Sequence, residues 1–165
     1  MAQNFLSPID FRFSLKRSPK ITYYVQSAVL PSLTAGFASV PTPFHSLHFS
    51  PDKLEYGEFT LTFRVDEDMS SYLEIYNWLI GMTFPDNFTQ YENLTTRKQG
   101  DTSGIYSDAT LSILNSAKKV NIEVEFHDLF PTSLSEITMD VRSTDITYVE
   151  ATASFKYKSF DITVI

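Results

Sequence analysis

The sequence contains no cysteine, only five glycines among its 165 residues, and no long apolar run. Without cysteine the chain can form no disulfide bond, thiolate metal site or thiol nucleophile. Neither a G-x-G-x-x-G nor a P-loop pattern occurs, so no glycine-rich loop is available to cradle phosphate groups. No run approaches the roughly 20 apolar residues that span a bilayer, and the N-terminus lacks the features of a secretory signal. We therefore expect a soluble protein that is made in a cytoplasm and has no membrane partner.

Positive charge is also scarce. The chain has 13 Lys and Arg against 20 Asp and Glu, which gives a net charge of −7 and a pI near 4.8. Affinity for a phosphate backbone comes from Lys and Arg that displace counterions. The composition therefore argues against a protein that grips nucleic acid, although an acidic protein can still surround nucleic acid without holding it.

Aromatic residues are plentiful, with 14 Phe and 9 Tyr, and such residues favour the half-buried surfaces of β-sheets. Hydrophobic residues make up 42% of the chain, which is typical of a globular protein. The length corresponds to one domain. We expect residues 1–165 to form a single domain.

Apolar and polar residues alternate along most of the chain, a pattern typical of strands with one buried face. The alternation occupies residues 11–15, 21–25, 54–65, 111–113, 120–126, 149–157 and 160–164. A short polar turn separates 111–113 from 120–126, which predicts a β-hairpin. These patterns predict a mainly β fold, an antiparallel β-barrel or sandwich with one flanking helix.

The flanking helix is predicted at about residues 68–80. Asp66, Glu67 and Asp68 favour a helix N-terminus electrostatically, Ser71 and Glu74 have capping-box spacing, and Gly81 favours its end. Apolar residues there recur at helical spacing. They predict a core-facing side made of Met69, Tyr72, Leu73, Tyr76, Leu79 and Ile80.

Two segments, 31–51 and 81–108, are longer than the connections that compact domains usually contain. We call them the first and the second arm. The first arm has four prolines and is too apolar to be left in water, so we expect it to contact a partner. Its apolar residues are Phe37, Val40, Phe44, Leu47 and Phe49. The alternative for both arms is a loop folded back on its own subunit.

The sequence offers little support for catalysis or for a cofactor. His45 and His48 are spaced like metal ligands, but no third ligand is near them, so we interpret them as surface or interface residues. The acidic run 66–68 could hold Mg²⁺, yet its place before a helix explains it more simply. No G-x-S-x-G nucleophile motif occurs. We expect neither an enzyme nor a bound cofactor.

The order of these elements resembles that of a known family. The N-terminal strand is followed by an Ala-Val-Leu-Pro turn at 28–31, a long arm, a Phe-rich strand, a helix, a hairpin and a short motif. The motif has the pattern aromatic-Pro-Thr-x-apolar-Ser-Glu-apolar and contains Phe130, Pro131, Thr132, Ser135 and Glu136. The whole resembles the tail tube proteins of contractile-tailed bacteriophages, particularly the T4-like ones, which share their fold with type VI secretion tube proteins. In that family the motif follows one strand and precedes two closing strands.

The resemblance implies a structural protein of the virion tail, made in the cytoplasm of the host. Hexameric rings would form as neighbouring subunits join their strands into one barrel around a channel, and stacked rings would form the tube. Its partners would be further copies of the chain, the tail sheath protein, and baseplate and tube-initiator proteins. DNA would pass through the lumen as non-specific cargo, and an acidic wall would suit that task because it repels phosphate. The first arm is then the candidate ring-to-ring contact, with the second arm beside it.

Four alternatives remain open at this point, one of them a tail-terminating or head-proximal connector, which the lack of a motif match disfavours. A tube-initiating baseplate protein has the same fold, but such proteins tend to carry extra domains, for which 165 residues leave no room. A type VI secretion-like tube protein is another. The last is a monomeric β-barrel binding module that would use a concave aromatic pocket for peptide or sugar.

Overall fold

The computed structural model describes residues 5–18, 20–83, 85, 88–95, 104–142 and 147–165. The mainly β fold predicted from the sequence is confirmed, with every strand pair antiparallel. The strands are β1 (Phe11–Leu15), β2 (Val25–Val29), β3 (Leu33–Ala35), β4 (Ala38–Pro41), β5 (Ser46–Phe49), β6 (Leu54–Tyr56), β7 (Phe59–Arg64), β8 (Ser107–Leu114), β9 (Val120–Leu134), β10 (Glu150–Lys156) and β11 (Ser159–Val164). The helices are α1 (Ile21–Tyr24), α2 (Ser70–Thr83) and α3 (Phe88–Thr95).

Two sheets share the long strand β9. Sheet A has the order β1-β8-β9-β11, and sheet B has the order β9-β10-β7-β2. The first half of β9 pairs with β8 and β11, and its last residues pair with β10. The β8–β9 hairpin predicted from the sequence is therefore confirmed.

The strand β9 passes from one sheet to the other at Asp128, which has a φ of 52°. The pairing of β9 with β8 is irregular at this point. Ser107 pairs with Leu129 and Ala109 pairs with Phe126, so β9 has one residue more than β8 between the two pairs. Such a bulge bends a strand, and aspartate tolerates the left-handed conformation better than most residues. The backbone N–H of Asp128 donates to the carboxylate of Asp108 at 3.4 Å. The bend lets one strand line both sheets.

The core lies between the two sheets and α2 and is dominated by aromatic rings. Phe59 is central, with ring centroids 5.5 Å from Phe13 and 4.6 Å from Phe126. Trp78 of α2 packs against Phe155, and its indole N–H donates to the carbonyl of Ile105 at 2.8 Å. All five of these aromatic side chains are at least 99% buried. Small residues leave room for the rings, namely Ala109, Ala151 and Ala153.

The predicted helix is present as α2, but its buried side differs from the prediction. The residues that face the core are Ser71, Ile75, Trp78 and Gly81. Tyr72 and Leu79 are partly buried beside them, whereas Leu73 and Tyr76 are 44% and 45% exposed, so their assignment to the core was wrong. Met69 precedes the helix with a φ of 52°. The helix carries apolar residues on more than one side, and periodicity alone does not select the side that meets the sheets.

The start of α2 is capped by Asp66 rather than by a capping box at Ser71. The carboxylate of Asp66 accepts the backbone N–H of Ser71 at 3.1 Å and the hydroxyls of Ser70 and Ser71 at 2.6 and 2.8 Å. Ser71 already lies in the first turn, so its hydroxyl is a donor to Asp66 and not a cap. The predicted capping box is therefore wrong, although the acidic run before the helix has the predicted effect.

Three further segments differ from the sequence prediction. Residues 21–25 were predicted as a strand, but α1 precedes β2 there and turns Ile21 fully into the core. Residues 54–65 form two strands, β6 and β7, which belong to different ladders. The second arm contains the end of α2 and the whole of α3, and the rest of it includes residues 96–103, which lie outside the described residues.

The first arm and β6 together form a two-stranded ribbon. Its base is the pairing of β3 with β6 and its tip is the pairing of β4 with β5. All residues of β3, β4 and β5 are exposed, so they are not folded back onto the core of their own subunit. Gly57 follows the ribbon and donates its N–H to the carbonyl of Ser32 at 2.9 Å. A Cβ at Gly57 would lie 2.8 Å from the hydroxyl and 3.1 Å from the backbone nitrogen of Ser32, so a larger residue there would crowd Ser32.

Candidate assembly surfaces

The tip of the ribbon has one apolar face. Val40 lies opposite Leu47, and Ala38 lies opposite Phe49. Because side chains alternate along a strand, these four residues share one face, whereas Ser39 and its neighbours across the strand share the other. Val40, Leu47 and Phe49 are 48%, 41% and 54% exposed. An exposed apolar face of this kind is typical of a surface that contacts another molecule.

The other two predicted residues of the first arm are placed differently. Phe37 is 68% exposed and packs edge-on against His48, with ring centroids 4.9 Å apart, on the face opposite Val40. Phe44 is 96% exposed at the turn between β4 and β5, where the backbone N–H of Thr42 donates to the carbonyl of His45. The structure therefore brings three of the five predicted residues onto one face and leaves Phe37 and Phe44 outside it.

Sheet A ends in two strands that each pair on one side only. Among the described residues β1 pairs with β8 alone, and β11 pairs with β9 alone. The free side of an edge strand presents unpaired N–H and C=O groups to any strand that approaches. Within the described part of the chain, sheet A thus has two open edges, one at β1 and one at β11.

The face of sheet A that points away from the core is acidic. Phe13, Leu111 and Val124 are buried, so on their strands every second residue, starting from their neighbours in sequence, points away from the core. Within the four strands these positions hold Asp108, Glu123, Glu125 and Asp161 as carboxylates, and Arg12 as the cation. Lys16, just after β1, pairs with Asp108 at 2.7 Å, and His127 lies 3.1 Å from Asp161. The face therefore carries excess negative charge, with its cation at the β1 edge.

A groove follows the open edge of β1. It has a volume of about 550 Å³ and lies between β1 and the α1–β2 segment. Phe11 and Val25 give it an apolar wall, and Arg12, Thr22 and Gln26 contribute polar lining. The free edge of β1 is therefore open to an incoming segment.

Most of the motif identified in the sequence lies in the last part of β9. It does not follow a strand as expected, because β9 continues as far as Leu134. The hydroxyl of Thr132 donates to the carbonyl of Ser154 at 3.1 Å, and Phe130 packs edge-on against Tyr106. Pro131 is buried and Glu136 is exposed. The contacts of Phe130, Pro131 and Thr132 are internal to the subunit, which gives these motif residues a role in the fold.

Two carboxyl groups on α2 and before it have shifted pKa values. The hydroxyl of Ser70 holds the pKa of Asp66 far below its usual range, with further help from the N–H and hydroxyl of Ser71. Burial raises the pKa of Glu74, although the charge of Lys20 opposes that shift. One carboxylate oxygen of Glu74 is buried with no hydrogen-bond partner within the described part of the chain. Both groups are only partly buried, and both shifts have their causes within the subunit.

The described residues contain no group of three or more His, Cys, Asp or Glu that could hold a metal ion. His45 and His48 both lie on the exposed ribbon, and Asp66 is occupied by its hydrogen bonds to α2. None of the helices in the described part of the chain is long and apolar enough to cross a membrane.

The sequence matches a family model, described as phage tail tube protein, over residues 5–163. The chain belongs to the phage tail tube protein family. Its role is accordingly that of a structural tube subunit, as the sequence analysis predicted. No curated protein sequence matches this tail tube protein.

Solved structures share the fold of this tail tube protein at low sequence identity. A chain of the extended PVC sheath–tube complex, from an extracellular contractile injection system, has a TM-score of 0.60 at 14% identity, covering 97% of this chain and 92% of its own. A chain of the tube-terminating cap of the anti-feeding prophage has a TM-score of 0.63 at 16% identity, covering 100% and 95%. The Hcp1 protein of the E. coli EAEC 042 pathovar has a TM-score of 0.51 at 12% identity, covering 94% and 92%.

The residues at the two edges of sheet A do not stand out in the sequence. Arg12 lies in the alternating segment 11–15, and Asp161 and Ile162 lie in the alternating segment 160–164. Which strands end a sheet depends on long-range pairing that a pattern of period two does not contain. The alternation alone placed Arg12 and Asp161 on the polar side of their strands, but it did not show that these strands end a sheet.

Proposed function

We propose that this protein forms hexameric rings that stack into the inner tube of a contractile phage tail, and that DNA passes through the channel. The observation that carries this proposal is sheet A, which has an open edge on each side and an acidic outward face. Open edges at opposite ends of one sheet suit joining to further copies into a closed ring. The acidic face then suits the wall of the channel, because it repels phosphate and lets DNA slide.

The ribbon supports the stacking part of the proposal. It stands away from the core and exposes Val40, Leu47 and Phe49 on one face, with Phe44 at its turn. We assign these residues to the axial contact between rings. Such a contact stays open at both ends of a stack, so it allows a tube of many rings to grow.

The remaining partners belong to the same proposal. A tail sheath protein would surround the tube, and baseplate and tube-initiator proteins would start it, which places the protein in the virion tail. Leu73 and Tyr76 are exposed on α2 and are available for one of these contacts. A tube-initiating protein of the baseplate and a type VI secretion-like tube protein share the fold and are the nearest competing assignments.

The test is negative-stain electron microscopy of the untagged protein over a concentration series, with light scattering in parallel. Rings or tubes with a central hole are the expected result. If the protein is monomeric at every concentration, preformed baseplates are added as a template. Tubes that grow only on baseplates support a template-dependent subunit, and a single added ring that does not extend supports a tube initiator. Monomers under both conditions would contradict the proposal and favour a binding module.

A further inference from the structure

The strand directions in sheet A determine how a second copy can join it. The strands β1, β8, β9 and β11 alternate in direction, so β11 runs opposite to β1. When β11 of one copy lies beside β1 of another copy in the same orientation, the two strands are antiparallel. The alternation of directions then continues across the junction, and every junction in a ring can be the same.

The apolar surfaces at the two edges are complementary. Phe160 packs against the core, and Ile162 and Val164 lie on the same side of β11, where they are 55% and 72% exposed. The free edge of β1 borders the groove whose apolar wall includes Phe11 and Val25. One edge therefore offers exposed aliphatic side chains, and the other edge offers a groove of mixed lining in which Phe11 and Val25 are apolar contacts.

The charges on the outward face are complementary as well. Arg12, at the β1 edge, is exposed and has no ion-pair partner within the described residues. Asp161, at the β11 edge, has a side chain that is 74% exposed, and Glu125 lies opposite it on β9. If two copies paired through their β11 edges, carboxylates would meet, and if they paired through their β1 edges, arginines would meet. The charges therefore disfavour a symmetric dimer through either edge and favour head-to-tail joining.

We infer that β11 of one copy pairs antiparallel with β1 of the next copy, with Ile162 in the groove and Asp161 facing Arg12. Antiparallel pairing that sets Arg12 opposite Asp161 also sets Phe11 opposite Ile162 and Ser14 opposite Ser159. A single register therefore allows both the apolar contact of Ile162 and the charge pair between Asp161 and Arg12. This inference rests on the proposed ring, to which it adds the contact between subunits and the residues that fix its direction.

The register can be tested by disulfide cross-linking, for which the absence of native cysteine is an advantage. The variant Ser14→Cys with Ser159→Cys places two thiols opposite each other, within the Cα distance that a disulfide requires. Mild oxidation of assembled protein should give a ladder of covalent oligomers on non-reducing gels. The matched control, Ser14→Cys with Thr163→Cys, moves one thiol four residues along β11, about 13 Å away, and should give no ladder.

The charge pair is tested by reversal. Arg12→Glu and Asp161→Arg should each raise the concentration needed for assembly by roughly tenfold, because each replaces attraction with repulsion at every junction. The two single variants mixed in equal amounts, or both changes in one chain, should restore assembly, since opposite charges then meet again. The control Arg142→Glu changes a loop cation to the same extent and should leave assembly unchanged.

The outcomes separate this inference from the proposed function. Wild-type rings with no ladder from the first cysteine pair, or with a ladder from the control pair, would overturn the register while leaving the ring intact. Wild-type rings that tolerate both reversals would overturn the charge pairing. If the wild type forms no ring even on baseplates, the groove accepts some other segment and both proposals fall.

Discussion

The hydroxyl of Ser135 accepts the backbone N–H of Thr152 at 2.9 Å, and the N–H of Ser135 donates to the carbonyl of Thr152 at 2.8 Å. The carbonyl of Ser135 in turn accepts the hydroxyl of Tyr72 at 3.2 Å. One residue thus holds the end of β9, the strand β10 and the helix α2 together. This arrangement explains why a serine stands at this position of the motif.

We expect Ser135→Ala to lower the free energy of unfolding by about 1–3 kcal/mol, because the N–H of Thr152 would lose its acceptor in a partly buried setting. Urea denaturation followed by circular dichroism measures the change. The neighbouring motif residue provides the control: Glu136 is exposed, and Glu136→Ala should change stability by less than about 0.5 kcal/mol. Equal effects of the two substitutions would contradict a structural role for Ser135.

Stability should also depend on Asp66 as the pH falls. The pKa of Asp66 is lowered in the folded protein, chiefly by the Ser70 hydroxyl, whereas the unfolded chain has the ordinary value of about 3.9. Above that value the carboxylate is charged in both states and its hydrogen bonds contribute fully. As the pH falls below about 4, the unfolded chain takes up a proton first, so this contribution is progressively lost.

The substitution Asp66→Asn separates this charge effect from the capping of α2. Asparagine keeps an acceptor for the N–H of Ser71 but does not titrate, so the difference in stability from wild type should shrink as the pH falls below 4. Asp66→Ala removes the acceptor as well and should cost about 1 kcal/mol at neutral pH. A constant difference between wild type and Asp66→Asn across the acid range would contradict the assignment.

Glu74 should behave in the opposite way. Burial raises its pKa in the folded protein, so the protonated form is favoured there, and its contribution to stability is lost as the pH rises above about 4.3 towards the folded pKa. Glu74→Gln should therefore stabilise the protein at neutral pH and leave it little changed below pH 4. Thermal unfolding at pH 4 and pH 7 tests this, and a substitution that destabilises at both pH values would contradict it.

The sequence was sufficient for the parts of the fold that depend on local patterns. The alternating strands, the β8–β9 hairpin and the existence of α2 follow from periods of 2 and 3.6 residues. The helical turn α1 was missed because Ile21 and Val25 fit an alternating pattern equally well. The buried side of α2 was misjudged because Leu73 and Tyr76 are as apolar as the residues that meet the core. Both errors concern contacts between distant segments, which no local pattern contains.

The assembly surfaces were also predictable from the sequence only in part. The first arm was predicted to contact a partner because it combines prolines with large apolar residues, and the structure leaves those residues exposed. That the arm is a ribbon, with Val40 and Leu47 on one face, depends on the pairing of β4 with β5. The two edges of sheet A could not be predicted, since β1 and β11 become edges only when β8 and β9 pair between them.

The exposed ribbon gives the last prediction, which concerns stacking. Phe49 lies on the apolar face of the ribbon and Phe44 at its turn, and neither contributes to the core of its own subunit. Phe44→Asp and Phe49→Asp should therefore leave the thermal unfolding midpoint of the subunit unchanged while preventing single rings from stacking, because a carboxylate would have to be buried in the axial contact. Electron microscopy distinguishes rings from tubes, and His48→Asp, which adds the same charge on the opposite face of the ribbon, is the control. Loss of folding in either Phe variant would show that the ribbon belongs to the core of its own subunit, and unimpaired tubes would show that the axial contact lies elsewhere.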